Sequence, residues 1–270
     1  MDPFKDRVAV ITGGAGGIGS TMARAFAERG AKVVLADLDE AALSRTVDTL
    51  VATGAQAIGV PTDVTKLDSV RALGDAAVQR FGAVHIVCNN AGVATFGEMR
   101  TATHRDWEFT MGVNFWGVVH GVETFVPRLV QQGNGHIVNT ASMAGLVGMQ
   151  WLGIYCASKF AVVGLTESLH RELKPYGIGV SVLCPMIVAT NINENSVRMR
   201  PAQLRNPGEE LVVPPVSEMK GGTIPPEQVA ARVVRAIERR DLYILTHPEQ
   251  RTFLKRRARK LDAMFEESHW

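Results

Sequence analysis

Tyr155-Cys-Ala-Ser-Lys159 holds the residue pair with the clearest capacity for proton chemistry. On a helix, side chains four apart share a face, so the phenol and the ammonium would project side by side. A tyrosine with its ordinary pKa of about 10 transfers protons poorly at neutral pH. A neighbouring cation stabilises the phenolate and lowers that value, which suits proton exchange with an alcohol oxygen. Alone, the pair is explained better by a packed tyrosine beside a solvated lysine. The elements around it decide the matter.

Composition bounds those elements. The 270 residues are 46% hydrophobic and 21% charged, enough for a substantial core in one large α/β domain or two small ones. No apolar run approaches a bilayer crossing, and the opening MDPFKDRVAVITGG carries acids where a secretory leader would be basic and then apolar. Cys88, Cys156 and Cys184 are too few for a disulfide framework and form no CxxC pair, which fits a reducing, cytoplasmic setting. Bases crowd residues 251–260 without an acid, and outside that stretch acids outnumber bases. A nucleic-acid-binding surface is therefore not expected. The 7 histidines form no HExxH or comparable cluster, so no metal is expected either. His170 and Glu172 read as surface residues. Cys156 diverges by about 100° from Tyr155 on a helix and reads as packed toward the sheet, not as a nucleophile.

RVAVIT, from Arg7 to Thr12, predicts a buried parallel strand, followed at once by Gly13-Gly-Ala-Gly-Gly-Ile18-Gly19 and a helix with Met22, Ala25 and Phe26 on one face. Strand, glycine turn and helix together point to a dinucleotide site, with Gly13, Gly17, Ile18 and Gly19 around the pyrophosphate and free helix N–H groups facing it. A second strand, KVVLA, ends at Asp37, where a carboxylate would accept both adenosine ribose hydroxyls and repel a 2′-phosphate. Leu38 follows in place of a base, which favours NAD over NADP. Asp37 would also suit the cap of the next helix. Further units place Asp63-Val64 and Asn89-Asn90-Ala91-Gly92 at strand ends. One long helix is expected from about His104 to Val130. Asn114 and Gly117 are costly inside it, and Gly117 suits a close helix crossing. Ser142 lies just beyond the strand His136–Thr140, where a lone serine most often caps a turn.

TGGAGGIG, Asp37, Asp63, NNAG, Asn114, Ser142 and YCASK, in this order and at these intervals, resemble the short-chain dehydrogenase/reductase family over about Arg7 to Thr190. The resemblance implies a single doubly wound Rossmann-type α/β domain over 1–270, with a seven-stranded parallel sheet and helices on both faces. It implies a catalytic set of Asn114, Ser142, Tyr155 and Lys159. Tyr155 would exchange the proton, Ser142 would orient the substrate oxygen, and Lys159 would lower the tyrosine pKa and hold the nicotinamide ribose. Asn114 would kink its helix and help hold a water that passes the proton on. Asn90, Ala91, Gly92, Pro185, Val188 and Thr190 would complete the cofactor site. The family's usual Pro-Gly-x-Val-x-Thr reads Pro185-Met186-Ile-Val-Ala-Thr190 here, which questions the loop path at Met186.

Met143, Leu146, Val147, Trp151, Leu152, Met186, Ile187 and Ile192 are the candidate substrate walls. They are nearly all apolar, so the expected substrate is a bulky hydrophobic secondary alcohol or ketone, of aryl, terpenoid or steroid-like shape. Residues 191–224 read as a substrate lid with an apolar patch at 211–216, and 248–267 as a basic amphipathic helix. In that helix Leu254, Ala258, Leu261 and Phe265 would dock on the body or on a neighbouring subunit, and binding to an anionic membrane is a lesser alternative. The overall expectation is an NAD-dependent alcohol dehydrogenase acting as a homo-oligomer, a tetramer or dimer. An NADPH-dependent carbonyl reductase and a non-catalytic nucleotide-binding scaffold are the competing readings.

Overall fold

The computed structural model describes residues 2–208 and 222–267. Its strands and helices alternate as β1 (Val8–Thr12), α1 (Gly17–Ala27), β2 (Lys32–Asp37), α2 (Glu40–Ala52), β3 (Ala57–Pro61), α3 (Leu67–Phe81) and β4 (Ile86–Asn89). They continue with α4 (His104–Met111), α5 (Gly117–Gln132), β5 (Gly135–Thr140), α6 (Gly153–Leu173), β6 (Ile178–Cys184), α7 (Ile192–Arg198), α8 (Pro226–Arg239), β7 (Tyr243–Leu245) and α9 (Gln250–Glu267). The sheet is parallel throughout, in the order β3-β2-β1-β4-β5-β6-β7. The chain winds outward from β1 in one direction and then in the other, so a crevice opens beyond the C-terminal ends of β1 and β4.

Helices cover both faces of the sheet, which is why its central strands are apolar without alternation. Ala9 and Ile11 of β1 face a core built with Met22, Phe26, Val233 and Ile237. Val8 and Val10 face the opposite one, with Leu73, Phe125 and Leu129. The period of two sends alternate side chains into separate cores.

Two expectations are corrected. The helix expected from His104 to Val130 is interrupted by a π-helical segment, Gly112–Trp116, in which Gly117 N–H donates to the Gly112 carbonyl. Residues 191–208 are ordered into α7 and a short 3₁₀ turn at Ala202–Leu204, while the apolar patch at 211–216 lies outside the described residues. Along the stripe on α9, Leu254 is half-buried, Ala258 is exposed, and Leu261 and Phe265 are 51% and 76% exposed. His170 is also less free than expected, with Nδ1 lying 3.0 Å from the Val180 carbonyl oxygen.

Candidate active site

A cavity of about 990 Å³ runs along the C-terminal ends of the strands. One end is built by the turn between β1 and α1. Gly13 has φ +65° and Gly17 φ +53°, and a Cβ on Gly13 would stand 2.9 Å from Ala91 Cα. These are positions only glycine fills without strain. Nothing lies within 4 Å of where a Cβ on Gly16 would sit, so the start of α1 opens onto free space. Free N–H groups and the positive end of a helix dipole suit a pyrophosphate there. Gly19 stands just behind the cavity wall, and a Cβ there would fall 2.1 Å from the Gly13 carbonyl oxygen. It lets α1 close against the turn.

Asp37 lines the cavity at the end of β2. Its Oδ2 accepts from Ala15 N–H at 3.0 Å and its Oδ1 from Asp39 N–H at 3.1 Å. The helix cap is Asp39, whose carboxylate accepts from Ala42 N–H. Asp37 is thus held by the glycine turn, and each oxygen keeps a lone pair for a ribose hydroxyl. Leu38, Asp63, Val64, Asn90, Ala91, Gly92, Pro185, Val188 and Thr190 line the same cleft. The Asp63 carboxylate is already engaged by Thr65 and Lys66. Burial pushes its pKa up, but these hydrogen bonds outweigh burial and hold it below the usual range. Gly117 packs on Val64, with a Cβ there only 2.9 Å from Val64 Cγ2, so its small size admits the turn after β3 and not the helix expected to cross there.

The other end of the cavity carries Ser142, Tyr155 and Lys159. Ser142 Oγ accepts from Ala144 N–H at 3.2 Å and donates to the Pro185 carbonyl at 3.4 Å, so it caps a turn and faces the site at once. Lys159 is 3% exposed, its Nζ donates to the Thr140 carbonyl at 3.0 Å, and it stands 5.6 Å from the centre of the Tyr155 ring. Burial lowers the Lys159 pKa to about 8. Burial also raises the Tyr155 phenol to about 12, against the opposing effect of its hydrogen bond with Ser142. Burial is the largest cause of both shifts.

Asn114 is fully buried and stands behind the cavity wall, not in it. Its Oδ1 accepts from Val93 N–H at 2.8 Å, and its Nδ2 donates to the Val93 carbonyl at 3.0 Å and to Ser158 Oγ at 3.1 Å. A Cβ on Gly92 would be 3.4 Å from Asn114 Oδ1 and 3.5 Å from Lys159 Nζ. Asn114 thus fixes the backbone that separates it from Lys159.

Met143, Val147, Trp151, Leu152, Met186, Ile187 and Ile192 line the cavity as expected. Leu146 does not; it packs with Val118, Val162 and Val182. Met186 has no left-handed φ, so the loop passes without the glycine usual in similar sequences. Cys156 is buried against Ala144 and Leu152, not against the sheet. Phe96, Phe109, Phe253, Arg45 and Arg198 also line the cleft and carried no sequence motif. Arg198 reaches back from α7 to pair with Asp39 at 2.7 Å. Among the described residues, no group of three or more His, Cys, Asp or Glu is placed to hold a metal ion, and no helix is long and apolar enough to cross a membrane.

A doubly wound sheet with a glycine turn, an acidic β2 terminus and a Ser-Tyr-Lys cluster defines a dinucleotide-dependent oxidoreductase. Residues 7–201 match the family model described as short chain dehydrogenase. The chain belongs to the short-chain dehydrogenase/reductase family. It is 43% identical to a short-chain dehydrogenase/reductase from Burkholderia phymatum solved in complex with NAD, with a TM-score of 0.92 over 98% of this chain and 97% of that one. It is 37% identical to a C alpha-dehydrogenase of Sphingobium sp., covering 95% of this chain and 85% of the relative. A CLA biosynthesis dehydrogenase/reductase of Lactiplantibacillus plantarum is 34% identical, with coverage of 97% and 95%.

Proposed function

We propose that this protein is an NAD-dependent oxidoreductase interconverting a bulky hydrophobic secondary alcohol and its ketone. The observation that carries this reading is one cavity holding the glycine turn and Asp37 at one end and Ser142, Tyr155 and Lys159 at the other. The residues fit NAD: open space beside Gly16, a carboxylate with free lone pairs at β2, and Thr190 across from Gly17. When bound, the cofactor supplies the hydride acceptor or donor at its nicotinamide ring. Ser142 Oγ orients the substrate oxygen, and Tyr155 Oη exchanges the proton with that oxygen. Lys159 stands behind the phenol, and Asn114 holds the Val93 backbone that shapes this corner. The apolar walls exclude water and leave only the carbinol oxygen to be recognised by polar groups.

An NADPH-dependent reductase is the second reading, and Arg45 and Arg198 on the cleft wall favour it. Asp37 weighs against it, and Arg198 is already paired with Asp39. A reducing, cytoplasmic setting and a homo-oligomeric state belong to the same proposal. NADH fluorescence titration followed by an alcohol and ketone screen tests the whole. Tyr155→Phe keeps the ring but removes the exchangeable proton, so turnover should fall at least about a hundredfold while NADH still binds. Binding without turnover of any alcohol by the unaltered protein would support the non-catalytic scaffold instead.

A further inference from the structure

Trp151 carries a feature that the proton chemistry does not require. Its φ is +65°, in the left-handed region that bulky L side chains rarely enter. It holds the third position of the turn Met149–Leu152, closed by Leu152 N–H donating to the Met149 carbonyl at 3.4 Å. Gln150, at the second position, is not in the left-handed region. This is the turn in which the third residue is ordinarily glycine. The conformation is clamped from outside: Gly97 N–H donates to the Trp151 carbonyl at 2.9 Å, and Gly97 and Leu152 form a parallel bridge.

The strained residue gains little from burial, for its side chain remains 40% exposed. It does line the catalytic cavity, just ahead of the helix that presents Tyr155. Strain held in place by surrounding structure and located at a reactive site points to what the side chain touches. Phe96, Phe109 and Phe253 line the same cavity. Aromatic rings favour one another in stacked or edge-to-face contact beyond simple area burial.

We propose that Trp151 is a specificity-determining residue, its turn held in a glycine conformation so that the indole meets the ring of an aryl carbinol or aryl ketone. This rests on the alcohol–ketone reading above and narrows its substrate class from hydrophobic to aromatic. The test is titration of acetophenone and of butanone into the NAD-loaded protein, which has no hydride to give a ketone, by calorimetry, for the unaltered chain and for Trp151→Gly, Trp151→Ala and Trp151→Phe. Acetophenone affinity should fall about tenfold or more in the Gly and Ala variants and stay within about threefold in the Phe variant. Butanone affinity should hold within about twofold throughout. The Gly variant should melt above the Ala variant, because only glycine relieves the left-handed φ. Undiminished acetophenone binding by Trp151→Gly, parallel loss of both ketones, or no aryl binding by the unaltered chain would overturn the proposal. Turnover of the same ketones with NADH in separate samples judges the reaction: aryl binding through Trp151 with no NADH consumed would refute the enzyme and uphold the subsite.

Discussion

At the scale of the residue, two neighbours are pushed in opposite directions by the same burial. The Lys159 pKa falls from 10.5 to about 8, so between these values the unfolded chain holds the extra proton and stability rises with pH. Tyr155 moves from 10 to about 12, so the native chain holds its proton longer and stability falls again as pH climbs through that upper window. Lys159→Met removes the first effect. In the absence of cofactor, its stability relative to the unaltered chain should be higher by on the order of 2–3 kcal/mol near neutral pH than near pH 10. Denaturant unfolding at several pH values measures this, and parallel profiles would sink it. Asp37 supports a second prediction. Hydrogen bonds to a charged group contribute about 1.5–3 kcal/mol, so kcat/KM should favour NAD over NADP by on the order of a hundredfold. Asp37→Ser with Leu38→Arg should shift that preference markedly toward NADP, and equal values for the unaltered protein would leave Asp37 as a staple of the glycine turn alone. The carboxylate was legible in the sequence because it follows a strand at a fixed interval from the glycines. Arg45 and Arg198 were not, since they reach the same cleft from α2 and α7, and no local pattern reports that convergence.

The element that sequence periodicity misread is the helix through Asn114. Apolar spacing marks which face is buried, but a single π-turn changes the register without altering composition, so one helix was expected where three segments exist. The signal was present in the cost of Asn114 and Gly117 inside a helix, and each has a physical use. Gly117 admits Val64, and Asn114 turns its amide onto both polar groups of Val93. Asn114→Leu leaves the buried Val93 N–H and C=O unpaired and should cost about 2–4 kcal/mol. It should also lower kcat more than it raises the cofactor dissociation constant, because the displaced backbone borders Lys159 and not Asp37. Loss of stability with kcat intact would confine Asn114 to a packing role. The segment after α7 shows a related blindness. Arg200 and Asp106 form a buried pair at 2.6 Å that ties the segment after α7 to α4, yet nothing in either local sequence announces the partner.

The whole molecule leaves α9 only partly accounted for. Its first turn is part of the body: Gln250 is fully buried, its Oε1 accepting from Thr246 and His247 N–H and its Nε2 donating to the Cys184 carbonyl at 2.8 Å. Phe253 reaches the cavity wall, and Arg257 stands 5.5 Å from the Phe160 ring. Further on, Leu261, Met264 and Phe265 are 51%, 57% and 76% exposed. Apolar residues on one helical face were legible from spacing, but spacing does not say whether that face meets its own chain or another. Deletion separates the two halves of the helix. Removing residues from 259 onward should leave Tm at low protein concentration and kcat/KM within about twofold, while reducing the native mass if the open stripe joins subunits. Removing residues from 250 onward should lower Tm by several degrees and impair turnover, because Gln250 and Phe253 go with it. Light scattering and thermal melts read both outcomes. An unchanged mass after the shorter deletion, with binding to anionic vesicles present in the full chain and lost on deletion, would assign the stripe to a membrane surface instead of a second subunit.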